Sequence, residues 1–205
     1  MKKNTMLLLF VTITAAVFSQ ERVAAVQKMY GGLGGVLVHK NGYGSEAGFQ
    51  VVWKKNWTTA LYYQSGEADP KNLPDDYKQG YTLVFPDPSP AVAFKMISIT
   101  GGKAVDLGRR FWLTTEGGLS FVTGEKMTFR RQSSSGNILY TPSNYTTTIE
   151  SSSAVGGVVR ADLHWAILRF AGLSLGGFVQ FNSLQTAPGI VTKLILGKMN
   201  IKSSN

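Results

Sequence analysis

The chain has no cysteine. It therefore has no disulfide, and a lipoprotein anchor, which needs an N-terminal cysteine, is closed to it. Long apolar runs are also missing: beyond the first 20 residues no window has the length and apolarity of a transmembrane helix. Histidine occurs twice, at His39 and His164. The two fall near opposite ends of the strands read below and make no metal site. Acids are scarce, 12 against 21 bases, for a formal charge of +9. Such a balance suits an anionic membrane surface or a polyanion, or is scattered solubilising charge. No nucleic-acid-binding motif accompanies it.

What is present begins with MKKNTMLLLFVTITAAVFSQ. Lys2 and Lys3 form a basic start, Met6 to Val17 an apolar stretch, and Val17 and Ser19 suit a cleavage site before Gln20. This predicts a secretory signal peptide over residues 1–19, too short to span a membrane, and a mature domain over 20–205 with its strands between about 30 and 199. An exported chain without disulfides needs a large core or a closed hydrogen-bonded sheet.

The mature chain alternates. In SSSAVGGVVRADLHW (Ser151 to Trp165), one row reads Val155, Gly157, Val159, Ala161, Leu163, Trp165 and the other ends Arg160, Asp162, His164. A strand sends successive side chains to opposite faces, so one face is oily and the other charged. Similar alternation marks Tyr30–His39, Ser45–Lys54, Trp57–Gln64, Ala91–Thr100, Arg109–Thr123, Phe170–Asn182 and Gly189 to about Met199, which makes eight strands. The connections differ in kind. Those at Lys55-Asn56, Gly101–Gly108 and Ala166–Arg169 are short or lack proline. Those at Asn41-Gly42, 65–90, 124–148 and Leu184–Pro188 include two long loops and all seven prolines. An up-and-down barrel places the two kinds at opposite ends, short turns on the periplasmic side and long loops outside. Trp53, Trp57, Trp112 and Trp165 all lie beside a short turn, as an interfacial aromatic girdle requires. Trp112 is irregular, because strict alternation puts it on the polar row of its strand.

On these features the chain resembles the small eight-stranded outer-membrane β-barrel family of Gram-negative bacteria, over its whole mature length. The resemblance implies an all-β, antiparallel, up-and-down transmembrane barrel in the outer membrane, in contact with outer-membrane lipid; no cofactor is expected, and a monomer is favoured although the sequence does not fix the oligomeric state. Many such proteins end in an aromatic residue, whereas this sequence ends LILGKMNIKSSN.

The rows assigned to the interior carry Glu46, Gln50, Gln64, Lys95, Glu116, Arg160, Asp162, His164, Gln180, Asn182 and Lys193. Three acids and three bases among them balance. An eight-stranded barrel is only wide enough for side chains to fill, and buried charges must pair. The expected result is an ion-pair network that plugs the lumen. A narrow channel for small or amphipathic solutes is the rival. A lipid-modifying enzyme is a second rival: Asp162 can orient His164, with Ser120 or Ser174 as nucleophile, but no oxyanion hole or reachable cleft is evident, and the reading is of no enzyme. A soluble sandwich is the alternative fold. Function then falls to the outer loops, 65–90 and 124–148, in a structural or surface-interacting role. The second loop carries Lys126, Arg130 and Arg131, a possible contact for phosphate groups of lipopolysaccharide or another surface ligand.

Overall fold

A computed structural model describes residues 26–38, 42–70, 72–82, 85–86, 89–132, 140–141, 143–183 and 186–199. The expected signal peptide and His39 lie outside the described residues. Eleven strands follow in chain order: β1 (Val26–Val38), β2 (Gly42–Trp53), β3 (Trp57–Ala68), β4 (Tyr81–Thr82), β5 (Phe85–Pro86), β6 (Val92–Asp106), β7 (Phe111–Arg131), β8 (Tyr140–Thr141), β9 (Tyr145–Ala166), β10 (Ala171–Asn182) and β11 (Thr186–Lys198). The eight long strands close into one antiparallel barrel in the order β1-β2-β3-β6-β7-β9-β10-β11, with β11 returning to β1. Closure removes every sheet edge, which a strand needs before it can enter a bilayer. No helix among the described residues is long and apolar enough to cross a membrane.

The turns at 54–56, 107–110 and 167–170 share one end. The first is the three-residue link Lys54–Asn56, in which Lys55 and Asn56 both take positive φ, 62° and 61°, the backbone twist that tight hairpins favour. At the other end the strands run further than the sequence suggests. β7 and β9 pair without interruption from Phe111↔Trp165 to Arg131↔Tyr145, so both flanks of the expected loop 124–148, residues 124–131 and 145–148, are hairpin. β6 stops pairing with β7 at Gly124. The seven residues beyond it extend about 24 Å along the strand past the last β6 pair. Tyr81–Thr82 does not extend a barrel strand; it pairs with Phe85–Pro86 and with Tyr140–Thr141 in a three-stranded sheet that ties the two long connections together. Pro188 lies within β11 rather than in a turn, opposite Val179 near the strand's outer end, where a missing N–H interrupts the ladder least.

The outer surface is apolar. Leu33, Leu37, Ile97, Ile99, Leu119, Phe121, Val155, Val159, Leu175, Ile190 and Leu194 all point outward and are exposed, Leu119 to 70%. With no second sheet to cover it, this surface fits lipid and not water. Its lower margin is aromatic: Trp53, Trp57, Phe111, Trp165 and Phe170 are exposed at the short-turn end, and Phe111 stacks on Trp165 at 5.7 Å. Its upper margin is a polar belt that follows the register, Ser45↔Ser65↔Lys95↔Thr123↔Ser153. From Trp57 to Ser65 the strand climbs about 27 Å, or roughly 21 Å of height at the ~40° tilt of such barrels.

Two placements correct the sequence reading. Lys95 is not on the inner row; it is exposed on the outer face, because Met96, Ser98 and Thr100 point inward and Ile97 and Ile99 share its side. It belongs to the polar belt. Trp112 is not in the girdle but 2% exposed inside the barrel. The alternation holds and the aromatic closes the lumen from below. Tyr30, at the same end, also points inward.

Candidate functional site: the filled lumen and the outer layer

The inward rows of the eight long strands meet on the barrel axis in three tiers. The lowest is aromatic. Trp112 of β7 stacks on His164 of β9 at 5.0 Å and 16°. The ring of Tyr30 from β1 stands edge-on to both, at 5.7 Å and 5.3 Å. Trp112 Nε1 donates to the Tyr30 hydroxyl at 3.1 Å, which donates in turn to Gln50 Oε1 at 2.8 Å. Thr114 Oγ1 lies 3.0 Å from His164 Nε2. Val52, Ala104, Ala166, Ile195 and Met199 pack around these rings. Below them Lys28 Nζ sits 4.5 Å over the Trp112 ring and bonds Asp106 at 2.5 Å.

The middle tier is ionic. Arg160 of β9 reaches across the barrel to Glu46 of β2 with both terminal nitrogens, at 2.8 Å and 2.7 Å. Its Nε bonds Asp162 at 2.5 Å. Lys193 of β11 adds contacts of 3.1 Å to Glu46 and 3.7 Å to Asp162. Gln64 donates to Glu46 at 2.5 Å. Tyr62 lies beneath the cations, 4.0 Å from the Arg160 guanidinium and 4.9 Å from Lys193. Glu116 is served differently: Gln50 donates to it at 2.5 Å, Thr100 at 2.7 Å and Tyr62 at 3.0 Å. Every one of these side chains is buried, so each charge has the partners that burial demands.

Glycines make this tier possible. Gly48 stands opposite Tyr62 and Gly176 opposite Asp162. A Cβ at Gly48 would come within 2.6 Å of the Tyr62 ring, and one at Gly176 within 1.7 Å of Asp162 Oδ1.

The upper tier is apolar, with Val36, Val158, Phe178 and Val191 in contact. Above it opens a cavity of about 290 Å³ that reaches Gln64, Gln180, Phe178, Glu125, Asp69, Pro70 and Asn72. The lumen therefore narrows from a small outer vestibule to a floor of rings.

Of the residues assigned to the interior from sequence, the structure brings Gln50, Glu116 and His164 into one hydrogen-bonded group and Glu46, Gln64, Arg160, Asp162 and Lys193 into another, and Tyr62 bridges the two by donating to Glu116 and lying against Arg160. Gln180 is also buried, higher up. The sequence reading missed Tyr30, Tyr62 and Thr100 as members. Tyr62 was legible, since it shares a row with Gln64. The enzyme rival finds no assembled triad here. Ser174 is the cross-strand neighbour of His164, yet neither Ser174 Oγ nor His164 Nδ1 has a hydrogen-bond partner, and the Asp162 carboxylate is turned to Arg160 and Lys193.

The outer layer is a second cluster. The segment from Asp75 to Lys78 folds against the raised β7–β9 hairpin. The Tyr77 ring lies 5.9 Å from Phe129 and 6.3 Å from Tyr145. Tyr145 donates its hydroxyl to Asp76 at 2.6 Å. Asn144 donates to the Asp76 carbonyl and accepts from the Lys78 amide, both at 2.7 Å. The Tyr145 hydrogen bond holds the Asp76 carboxyl below its ordinary range, helped by Arg131, and the same bond pushes the Tyr145 hydroxyl up. Lys126, Arg130 and Arg131 are all exposed on the hairpin, and Arg131 is drawn toward Asp76 at 3.6 Å.

No protein-family model matches the chain, and no curated protein matches it. Solved structures do match. Ail, the attachment invasion locus protein of Yersinia pestis, superposes with a TM-score of 0.51 at 10% identity, over 85% of this chain and 99% of that one. Ail in complex with the heparin analogue sucrose octasulfate gives 0.50 at 11% identity, over the same 85% and 99%. The N-terminal β-barrel domain of Pseudomonas aeruginosa OprF gives 0.51 at 10%, over 84% and 98%. Neisserial surface protein A gives 0.50 at 10%, over 84% and 96%. At such identities the likeness is one of fold. Taken with the apolar outer wall, the polar interior and the two interfacial margins, it gives the chain the fold of the small eight-stranded outer-membrane β-barrels.

Proposed function

We propose that the protein is a non-conducting, non-enzymatic outer-membrane barrel that acts through its outer end, as a structural and surface-interacting component of the envelope. The observation that carries this reading is the ionic tier. Glu46, Arg160, Asp162 and Lys193 join opposite walls of the barrel, and the rings of Tyr30, Trp112 and His164 lie beneath them. A solute would have to break buried ion pairs to pass, which costs several kcal/mol for each ion left buried without its partner. The working surface is then the ordered outer layer, with the hairpin lifting Lys126 and Arg130 clear of the wall. Charge-assisted contacts from such residues suit phosphate or sulfate groups on saccharides, lipopolysaccharide included. Ail, which shares the fold, is seen with a sulfated sugar.

Two measurements test this. In planar bilayers the folded protein should give no steady open conductance, and a stable channel at neutral pH would overturn the plug. On intact cells, where only the outer end is accessible, heparin binding should fall at least about fivefold in the Lys126→Gln, Arg130→Gln, Arg131→Gln variant at equal surface amounts. Unchanged binding would remove the hairpin from the contact.

A further inference from the structure

The positive charge of this barrel is concentrated at one end. At the outer end the described bases Lys78, Lys95, Lys126, Arg130 and Arg131 face the acids Glu67, Asp69, Asp75, Asp76, Glu125 and Glu150, and that end is close to neutral. The lumen is likewise near balance. At the short-turn end stand Lys54, Lys55, Lys103, Arg109, Arg110, Arg169 and Lys198, all exposed. Among the described residues the acid of that rim is Asp106, which is bonded to Lys28. The bases come from all three short turns and from β6 and β11, so they form a ring and not a patch on one face.

Two features fix the height of this ring. Lys103 Nζ sits 4.0 Å over the ring of Trp57 and donates to the Lys55 carbonyl at 3.1 Å, which anchors an ammonium at the level of the aromatic girdle. The tips of the turns carry exposed Leu107, Ile167 and Leu168 beside Arg109, Arg110 and Arg169. A soluble polyanion would leave those side chains in water. A headgroup layer takes both, cations at the phosphates and apolar tips toward the acyl boundary.

We propose that the short-turn rim is a binding collar for anionic phospholipid in the adjacent leaflet, its cations spaced to meet headgroup phosphates around the whole barrel. The inference rests on the membrane reading above and adds a lipid preference to it. Attraction of basic residues to an anionic leaflet falls off within a Debye length, so the collar acts on lipids in direct contact and is sensitive to salt.

The barrel carries its own reporters. Trp53, Trp57 and Trp165 face lipid at the rim, while Trp112 is inside and supplies the unquenched background. The protein is reconstituted in bilayers of phosphatidylcholine and phosphatidylglycerol, with one or the other brominated near the headgroup, and tryptophan quenching gives the relative binding of the two lipids. The expected preference for phosphatidylglycerol is about threefold or more at low salt, falling toward unity at 1 M salt, where screening is nearly complete. It should also vanish in the Lys54→Gln, Lys55→Gln, Arg109→Gln, Arg110→Gln, Arg169→Gln variant and persist when Lys126, Arg130 and Arg131 are neutralised. Equal quenching by both lipids, or a preference that survives high salt or the five changes, overturns the collar. So does retention of a soluble acidic polymer at the rim without lipid preference. If the five-site variant does not insert, the salt titration of the native chain and the Arg109→Gln, Arg110→Gln pair decide. Gel mobility before and after boiling separates the two failures: an unshifted band sinks the membrane reading, and a normal shift with equal quenching sinks only the collar.

Discussion

Arg160 and Arg131 each face an aspartate, and little else about the two pairs is alike. The Arg160 side chain is 2% exposed, holds Asp162 at 2.5 Å and Glu46 at 2.7 Å, and has Lys193 as a second cation beside the same acids. The Arg131 side chain is 77% exposed and 3.6 Å from an Asp76 that is itself 52% exposed. Inside the barrel the ions have no water to return to, so the pairing is compulsory and the loss of one member strands the rest. At the outer end water competes for every charge, and the pair adds little to stability. The same chemistry thus locks one region and leaves the other free to exchange partners. That division fits a molecule whose interior is structural and whose outer layer meets ligands.

Arg160→Ala should cost about 3–5 kcal/mol, because Glu46 and Asp162 stay buried with one cation between them. Urea unfolding in lipid, followed by gel shift, reads this, and Glu46→Gln in the same chain should restore part of it. A loss no larger than that of an exposed pair would show that water enters the lumen. Glu116→Gln comes next, at about 1–3 kcal/mol, since Gln50, Thr100 and Tyr62 all donate to Glu116 and an amide nitrogen cannot accept from them. Phe129→Ala, which removes an aromatic contact of the outer layer, should leave the global unfolding midpoint nearly unchanged while the segment around Tyr77 becomes open to protease.

The smallest effect concerns Asp76. A carboxyl whose value is lowered in the folded state supports its contact above the ordinary aspartate range, about 3.9, and loses it only as the pH falls through the lowered value. The ring resonances of Tyr145 should therefore titrate with a midpoint below that range, and the transition should be absent in Asp76→Asn. A midpoint at or above it would mean that the Tyr145 hydroxyl does not hold the carboxylate.

Much of this architecture is legible in the residues, and the misreadings have physical causes. Arg160, Asp162 and His164 share a row opposite Val159, Ala161 and Leu163, so one face of β9 had to be dry. The segment around Lys95 has no such contrast. Met96 on one row and Ile97 and Ile99 on the other are all apolar, and the lone charge was an unsafe guide to the phase because it lies at the membrane margin, where an outward lysine is solvated. Trp112 set two rules against each other, interfacial preference and alternation. Alternation prevailed because a side chain cannot leave its row without a break in the ladder. The hairpin hid in a Ser, Thr and Asn composition that reads as loop. Its covered face carries only Met127 and Phe129 between charged residues, too short an apolar row to mark a strand, although threonine suits a pleated, half-buried surface. Which charge meets which depended on depth, and depth follows from the register of eight strands at once.

The return of β11 to β1 has a consequence for how the molecule forms. Neighbouring strands elsewhere are joined by turns, but this seam unites the two ends of the barrel, from Met29↔Lys198 to Val38↔Gly189. Pairing over so long a separation is the slow, late step of assembly. The ionic tier crosses the same divide, with Glu46 on β2 reaching Arg160 on β9 and Lys193 on β11. Those bonds do not exist until the wall is shut. A chain stalled before closure holds unpaired charges on an open sheet and has no comfortable place in lipid, so the buried ions make completion of the cylinder an all-or-none event.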